Sequence, residues 1–245
     1  MKQDLYRITE NTPLTDTVYK MVLEGDVSEI TCPGQFINIK LEGKYLRRPI
    51  SVCDVDASSV TIIYKVVGAG TEQMSKMPVG AELDVLTGLG NGYNTDKAGE
   101  KPLLLGGGVG VPPLYMLAKE LINKGKKVSV VLGFNTQNEI FYEQEFKDLG
   151  AEVFVTTVDG SYGLKGFVTD AMKDIDYSYF YTCGPEPMLK AIYNTAKISG
   201  QFSFEERMGC GFGACMGCSC KTITGYKRIC KDGPVLEKEE ILWEN

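Results

Sequence analysis

Leu103-Leu104-Leu105-Gly106-Gly107-Gly108-Val109-Gly110-Val111-Pro112-Pro113 is the stretch from which the fold can be read. A short apolar run ends in clustered glycines, and two prolines then open an apolar-periodic stretch that reaches Asn123. Proline is tolerated in the first turn of a helix, where the backbone N–H has no partner to lose. The reading is therefore strand, glycine turn, helix. The free N–H groups of such a turn, backed by a helix N-terminus, form a seat for phosphates. Gly106, Gly107, Gly108 and Gly110 are the candidate nucleotide-binding positions. The pattern is not G-x-G-x-x-G, because Val111 and Pro113 stand where a third glycine would fall. The plainer alternative is a glycine turn with no ligand.

Outward from this point, strands and helices alternate over residues 98–200. Lys127 to Leu132, Glu152 to Thr157 and Tyr179 to Thr182 read as strands, and Glu139 to Leu149 and Pro185 to Ile198 as helices. Such alternation predicts a parallel α/β sheet with a nucleotide site at the strand ends. Thr182-Cys183-Gly184-Pro185-Glu186 is a second strand-to-helix junction, and it makes Cys183, Gly184 and Pro185 candidates too. The plainer reading of Cys183 is a small buried thiol at a strand end.

Residues 1–97 read differently, as short alternating strands with glycine-rich turns and almost no helical periodicity. That pattern predicts an antiparallel β-barrel or sandwich. Arg47-Arg48-Pro49-Ile50-Ser51 enters one strand after a turn, and Ile63-Tyr64-Lys65 runs towards Gly68-Ala69-Gly70-Thr71. An arginine can grip a pyrophosphate bidentately, and free loop N–H groups with a threonine hydroxyl suit a phosphate. Taken singly, each is also ordinary turn chemistry.

Residues 201–245 are rich in Cys and Gly and poor in periodicity. A segment this short scarcely buries enough apolar surface to fold alone, so it calls for a staple. Of the chain's eight cysteines, Cys210, Cys215, Cys218 and Cys220 crowd into eleven residues, and Cys230 follows. The spacing C-x4-C-x2-C with a later Cys is that of a [2Fe–2S] site. It makes Cys210, Cys215, Cys218 and Cys230 the candidate ligands, with Cys220 left as a surplus, buried thiol. Gly211, Gly213 and Gly217 are expected to take positive φ and bring backbone N–H groups to the sulfurs. A four-thiolate zinc site is the competing reading, although zinc sites usually show two C-x2-C pairs. The chain has no histidine, which excludes a Ser-His-Asp triad, a His-ligated zinc and a Rieske centre.

The order Arg-Pro-Ile-Ser at 48–51, Gly-Thr at 70–71, the glycine turn at 106–110 and Cys-Gly-Pro at 183–185 resembles the ferredoxin–NADP reductase superfamily. Glu206-Arg207-Met208-Gly209-Cys210-Gly211-Phe212-Gly213-Ala214-Cys215 and Cys230-Lys231-Asp232-Gly233-Pro234 narrow the resemblance to the electron-transfer subunits of class B dihydroorotate dehydrogenases. The resemblance spans essentially the whole chain. It implies a multi-domain β plus α/β protein: an FAD-binding β-barrel over 1–97, an NAD-binding α/β domain over 98–200 and a [2Fe–2S] segment over 201–245. It further implies that Arg48, Pro49, Ile50 and Ser51 contact FAD, with Ser51 near the reactive ring edge. By the same resemblance Ile63, Tyr64 and Lys65 flank the flavin, Gly70 and Thr71 meet its phosphates, and Cys183 lies near the nicotinamide. Ile50 stands where the wider superfamily has an aromatic residue.

The implied function is electron transfer from a partner's FMN through [2Fe–2S] and FAD to NAD, supporting oxidation of dihydroorotate to orotate in pyrimidine biosynthesis. No catalytic side chain is required, since the cofactors carry the redox chemistry. A chain of 245 residues has no room for a dihydroorotate-oxidising barrel as well. A separate FMN-containing catalytic subunit is therefore expected, in a heterotetramer by family analogy. A sister subunit serving a hydrogenase, sulfide or ferredoxin-linked complex is the alternative. Residues 133–146 contain Glu139, Glu143 and Glu145 and no Lys or Arg, which favours NAD over the 2′-phosphate of NADP. A net charge of −6 without any basic run argues against nucleic acid. The N-terminus lacks a signal-peptide pattern, and no apolar run reaches the about eighteen residues of a membrane span. A cytoplasmic protein is expected.

Overall fold

The computed structural model describes residues 1–243. The first six strands are β1 (Lys2–Pro13), β2 (Val18–Glu24), β3 (Phe36–Ile39), β4 (Arg48–Val55), β5 (Ser59–Lys65) and β6 (Glu82–Leu89). They close into an antiparallel barrel in the order β1-β2-β5-β4-β3-β6. Alternation decides what fills it: Ile8, Met21, Leu23, Ile37, Ile39, Ile62 and Tyr64 point inward and are buried. Helix α1 (Ala69–Ser75) connects β5 to β6. It is a departure from the expected loop. The Thr71 hydroxyl oxygen accepts the Val67 and Gly68 N–H groups at 3.0 and 3.3 Å, so a hydroxyl inside the first turn nucleates a helix where the glycines suggested only a turn.

The second half is a sheet of seven strands. Its elements are β7 (Pro102–Gly107), α2 (Pro113–Asn123), β8 (Ser129–Phe134), α3 (Glu143–Asp148), β9 (Glu152–Thr157), β10 (Leu164–Lys165), α4 (Val168–Met172), β11 (Tyr179–Cys183), α5 (Glu186–Thr195) and β12 (Gly200–Ser203). A hairpin of β13 (Ser219–Thr222) and β14 (Gly225–Arg228) follows, then β15 (Val235–Glu237). The order is β10-β9-β8-β7-β11-β12-β15, parallel throughout except for β15. Chain order therefore reverses between β7 and β11. Open α/β sheets bind ligands at such a switch point, beyond the carboxyl ends of the strands.

Three sequence expectations need correction. The helix expected over 139–149 is confined to α3, because Tyr142 sits at φ 66° and interrupts it; a short 3-10 turn covers Gln137–Glu139 instead. The cysteine-rich segment, which scarcely folds alone, shares a sheet with the domain before it. Both β12 and β15 belong to the nucleotide sheet, so the expected boundary at residue 200 falls inside β12, and Val235 and Leu236 are buried with the sheet's core. Gly217 does not take positive φ; Gly211 and Gly213 do (80° and 91°), and the third left-handed residue is Met216 at 61°. Among the described residues no helix is long and apolar enough to cross a membrane.

Candidate functional site

Register explains how the two glycine-bearing junctions meet. Gly106 and Cys183 are Cα partners, so the loops after β7 and β11 leave the sheet side by side. They interlock: a Cβ on Gly110 would lie 2.2 Å from the Cys183 carbonyl oxygen, and one on Gly107 would lie 2.5 Å from Met188 Sδ. Gly108 takes φ +51° with open space beside it. The result is a crevice walled by backbone at the switch point, where Gly106, Gly107, Gly108, Gly110, Cys183, Gly184 and Pro185 all converge. Crowding by protein pushes the Cys183 thiol up to about 12, so it stays protonated at neutral pH. Just past β8, Glu139 accepts hydrogen bonds from the backbone and side chain of Asn135 at 3.2 and 2.9 Å, which fixes an acidic group beyond the carboxyl end of that strand. Glu143 pairs with Lys147 at 2.6 Å and also accepts from the Tyr162 hydroxyl at 3.2 Å.

On the barrel, the paired arginines divide their work. Arg47 bonds Asp84 at 2.8 Å and the Asn38 carbonyl at 3.2 Å and is part of the wall. Arg48 lies over α1: a Cβ on Gly70 would meet Arg48 Nε at 2.2 Å. Arg48 and Gly70 thus form a cradle at the barrel rim, with a cationic fork above a glycine, while the Thr71 hydroxyl, expected to meet a phosphate, is turned back onto Val67 and Gly68 and leaves only its backbone N–H on that side. That arrangement fits a pyrophosphate. Cross-strand pairing sets Pro49 opposite Asn38 and Ser51 opposite Phe36, all turned out of the barrel, while Ile50 packs on the barrel core. Ile63 faces the nucleotide domain and is buried against it. Tyr64 turns the other way, its hydroxyl donating to Asn11 Oδ1 at 3.0 Å inside the barrel. Its side chain therefore does not join the cradle; Lys65 is half-buried at the strand end.

The cysteines fall into two pairs, Cys210 with Cys215 and Cys218 with Cys230, each joined by the backbone N–H of the later cysteine aimed at the sulfur of the earlier one. Among the described residues no three Cys, Asp or Glu side chains are gathered tightly enough for a single metal ion. A binuclear cluster asks instead for two thiolates on each iron, which two pairs supply. Ala214 N–H and Cys215 N–H point at Cys210 Sγ at 3.2 and 3.5 Å, and Cys230 N–H points at Cys218 Sγ at 3.4 Å. Burial disfavours the Cys210 thiolate, but the N–H groups of Phe212 and Cys215 outweigh it and lower its pKa. Burial, then the Cys218 thiol, raise that of Cys230. This donor set fits a thiolate cluster. Arg228, forked onto Asp232, also donates to the Gly213 carbonyl at 2.9 Å and holds the loop shut. Cys220 stands apart, half-buried on β13, lining an open cleft of about 760 Å³ with Pro185, Arg207 and Trp243. The roles of Arg47, Glu139 and Arg228 were not foreseen; only the charge argument had touched Glu139.

A barrel fused to a reductase-type sheet, with a thiolate loop at its side, defines a nicotinamide-linked flavoprotein oxidoreductase with an iron–sulfur domain. Residues 205–242 match the model of the iron–sulfur cluster binding domain of dihydroorotate dehydrogenase B, and 104–194 match the oxidoreductase NAD-binding domain. The dihydroorotate dehydrogenase B (NAD(+)) electron transfer subunit of Geobacillus sp. (strain WCH70) is 44% identical over 99% of both chains. Its counterpart from Fusobacterium nucleatum is 45% identical over 96% of both. The solved NADH-dependent reduced ferredoxin–NADP oxidoreductase, a protein of flavin-based electron bifurcation, superposes with a TM-score of 0.89 at 32% identity, covering 98% of this chain and 90% of that one. The FAD/NAD-binding domain of a Vibrio cholerae nitric oxide dioxygenase shares the fold, with a TM-score of 0.68 at 22% identity over 78% of this chain and 91% of its own. The chain belongs to the family of dihydroorotate dehydrogenase B (NAD(+)) electron transfer subunits. Its cofactors are FAD, a [2Fe–2S] cluster and NAD.

Proposed function

We propose that this chain carries electrons from a dihydroorotate-oxidising, FMN-containing catalytic subunit to NAD+, the two kinds of chain being joined in a heterotetramer. When bound, FAD and NAD supply hydride exchange and the cluster supplies single-electron exchange. The chain's own residues bind, orient and shield. Cys210, Cys215, Cys218 and Cys230 would hold the cluster, with the N–H groups of Ala214, Cys215 and Cys230 spreading charge away from the sulfurs. Arg48, Gly70 and Thr71 would hold the flavin's phosphates, with Ser51 on the outward face of β4 near its ring. Gly106 to Gly110 and Cys183 to Pro185 would admit the nicotinamide nucleotide, and Glu139 would disfavour a 2′-phosphate by like charge.

The observation that carries this reading is the strand order β5-β4-β3 in the barrel wall. The glycine turn at 108–110 packs on β5, and the cysteine loop packs on β3 through Asn38. The arginine-bearing strand β4 lies between them. On this reading the three cofactor seats would follow one another across one wall, in the order that electron relay requires. Partner docking has support as well: Phe212, Met216, Ile223 and Tyr226 are large apolar side chains left exposed on the cysteine-rich segment.

The test is anaerobic purification with a co-expressed FMN subunit, followed by an assay of orotate-dependent NADH oxidation. Turnover that requires both chains, iron and FAD is expected. A second reading, a sister subunit of a ferredoxin-linked complex, is favoured by the close superposition on the bifurcating oxidoreductase. A fully loaded chain that serves ferredoxin and leaves orotate untouched would establish that reading instead.

A further inference from the structure

We propose that Asn38 is a positioning residue that pins the cluster loop against the flavin-bearing strand; this rests on the relay just described. Along β3, Ile37 and Ile39 point into the barrel, while Phe36 and Asn38 point out towards the cysteine segment. Phe36 shares an apolar core with Cys218 and Cys230. Asn38 is 1% exposed, and its Nδ2 donates to the carbonyl oxygen of Cys210 at 3.3 Å. The next residue is shaped around it. A Cβ on Gly211 would lie 2.4 Å from Asn38 Nδ2, and Gly211 itself sits at φ +80°. On its other side Asn38 is the Cα partner of Pro49, inside the Arg48–Ser51 run.

Folding alone does not account for an amide here. Its Oδ1 is buried without a partner, which is destabilising. A leucine has the same branched shape without that unpaired oxygen. What asparagine adds over leucine is the hydrogen bond to the first cysteine of the cluster loop. The bond holds Cys210 at a fixed place relative to β4. Transfer between two carriers depends on how the protein places their reactive atoms, and small misplacements cost large factors in rate.

The test uses holoprotein with full FAD and iron, in two variants that remove the donor by opposite chemistry: Asn38→Leu, which is apolar, and Asn38→Asp, which is nearly isosteric. Stopped-flow absorbance follows reduction of the flavin by NADH, and freeze-quench electron paramagnetic resonance follows reduction of the cluster. Flavin reduction is expected to stay within about twofold of the parent, while cluster reduction slows by about tenfold or more. A parent-like cluster rate in either iron-replete variant overturns the proposal. Should both variants fail to assemble a cluster, Asn38→Ala, which removes the donor without adding bulk or charge, is measured by the same criterion. If the parent's own cluster is not reduced by NADH, the relay reading fails, and that result is distinct from a failure of the role of Asn38.

Discussion

Lys119 Nζ donates to both carboxylate oxygens of Asp54, at 3.0 and 2.9 Å, and so bolts the barrel to the nucleotide domain. The register of β4 shifts between Val52 and Asp54, a bulge that re-aims the strand. Cys53 is thereby sunk into the interdomain core beside Ile63 and Tyr142, and Asp54 meets α2. The pair joins a strand three residues past Ser51 to the helix that backs the glycine turn. Both partners keep some exposure, so the pair itself contributes about 1 kcal/mol or less to stability. Its larger effect is on domain registration. Lys119→Met is expected to slow NADH-dependent flavin reduction by about tenfold with little change in melting temperature. The exchanged pair Asp54→Lys with Lys119→Asp is expected to recover part of the rate. Stopped-flow measurement of all three proteins checks this.

Gly110→Ala places a methyl group against the Cys183 carbonyl, where backbone on both sides cannot yield. The expected outcome is a rise of about tenfold or more in KM for NADH, with the FAD spectrum and the cluster signal retained. A parent-like KM would mean that the crevice at the switch point is not the nicotinamide site.

Gly70→Ala meets a softer obstacle, the end of the Arg48 side chain. The guanidinium can swing aside, so the fold is expected to persist while FAD affinity drops by about tenfold, as befits loss of one charge-assisted contact. Flavin fluorescence released on dilution measures it.

Cys218 is 2% exposed and lies against Cys230 N–H, so Cys218→Ser removes a buried thiolate from one of the two cysteine pairs. Loss of the cluster signal is expected, with NADH-to-dye activity kept near the parent level. Retention of a normal cluster would refute the ligand set.

Glu237 anchors the last sheet strand by accepting from Lys97 and Gln201 at 2.8 Å and from the Tyr179 hydroxyl at 2.8 Å. Burial alone would raise its pKa, but these three donors outweigh burial and hold it below the ordinary carboxylate value. A depressed folded-state pKa stabilises the fold above the unfolded-state value of about 4.3, and that stability is lost as pH falls through the folded-state value. Glu237→Gln should therefore cost about 1 kcal/mol at pH 7, and the difference should shrink as the pH drops below about 4. Urea unfolding at the two pH values tests the sign.

The strand, glycine turn and helix over 102–123 were legible because their signals are local: an apolar run, glycines and prolines in sequence dictate them. The cysteine spacing was legible for the same reason. Glu152–Thr157 even ends where expected. What escaped was non-local or depended on a single torsion. Alternation showed that Ile63 and Tyr64 face opposite ways, but not that Tyr64 faces the barrel interior. One left-handed residue, Tyr142, shortened a helix that periodicity had extended. Strands of three or four residues, such as β12 and β15, carry too little pattern to be seen, and their pairing depends on residues far apart in the chain. Asn38 and Asp54 gave no signal, since an isolated amide or carboxylate on a strand gains its meaning from what docks on it.

Ser203 and Val235 are neighbours across β12 and β15, and Phe204 N–H still bonds the Pro234 carbonyl at 2.9 Å. Residues 204–234 thus leave and rejoin the molecule at one point, like a graft on a hairpin. Their two ends are thereby clamped together, while Cys218, Ile229 and Cys230 sink into the same apolar core as Phe36, so the loop that would carry iron shares its foundation with barrel and sheet alike.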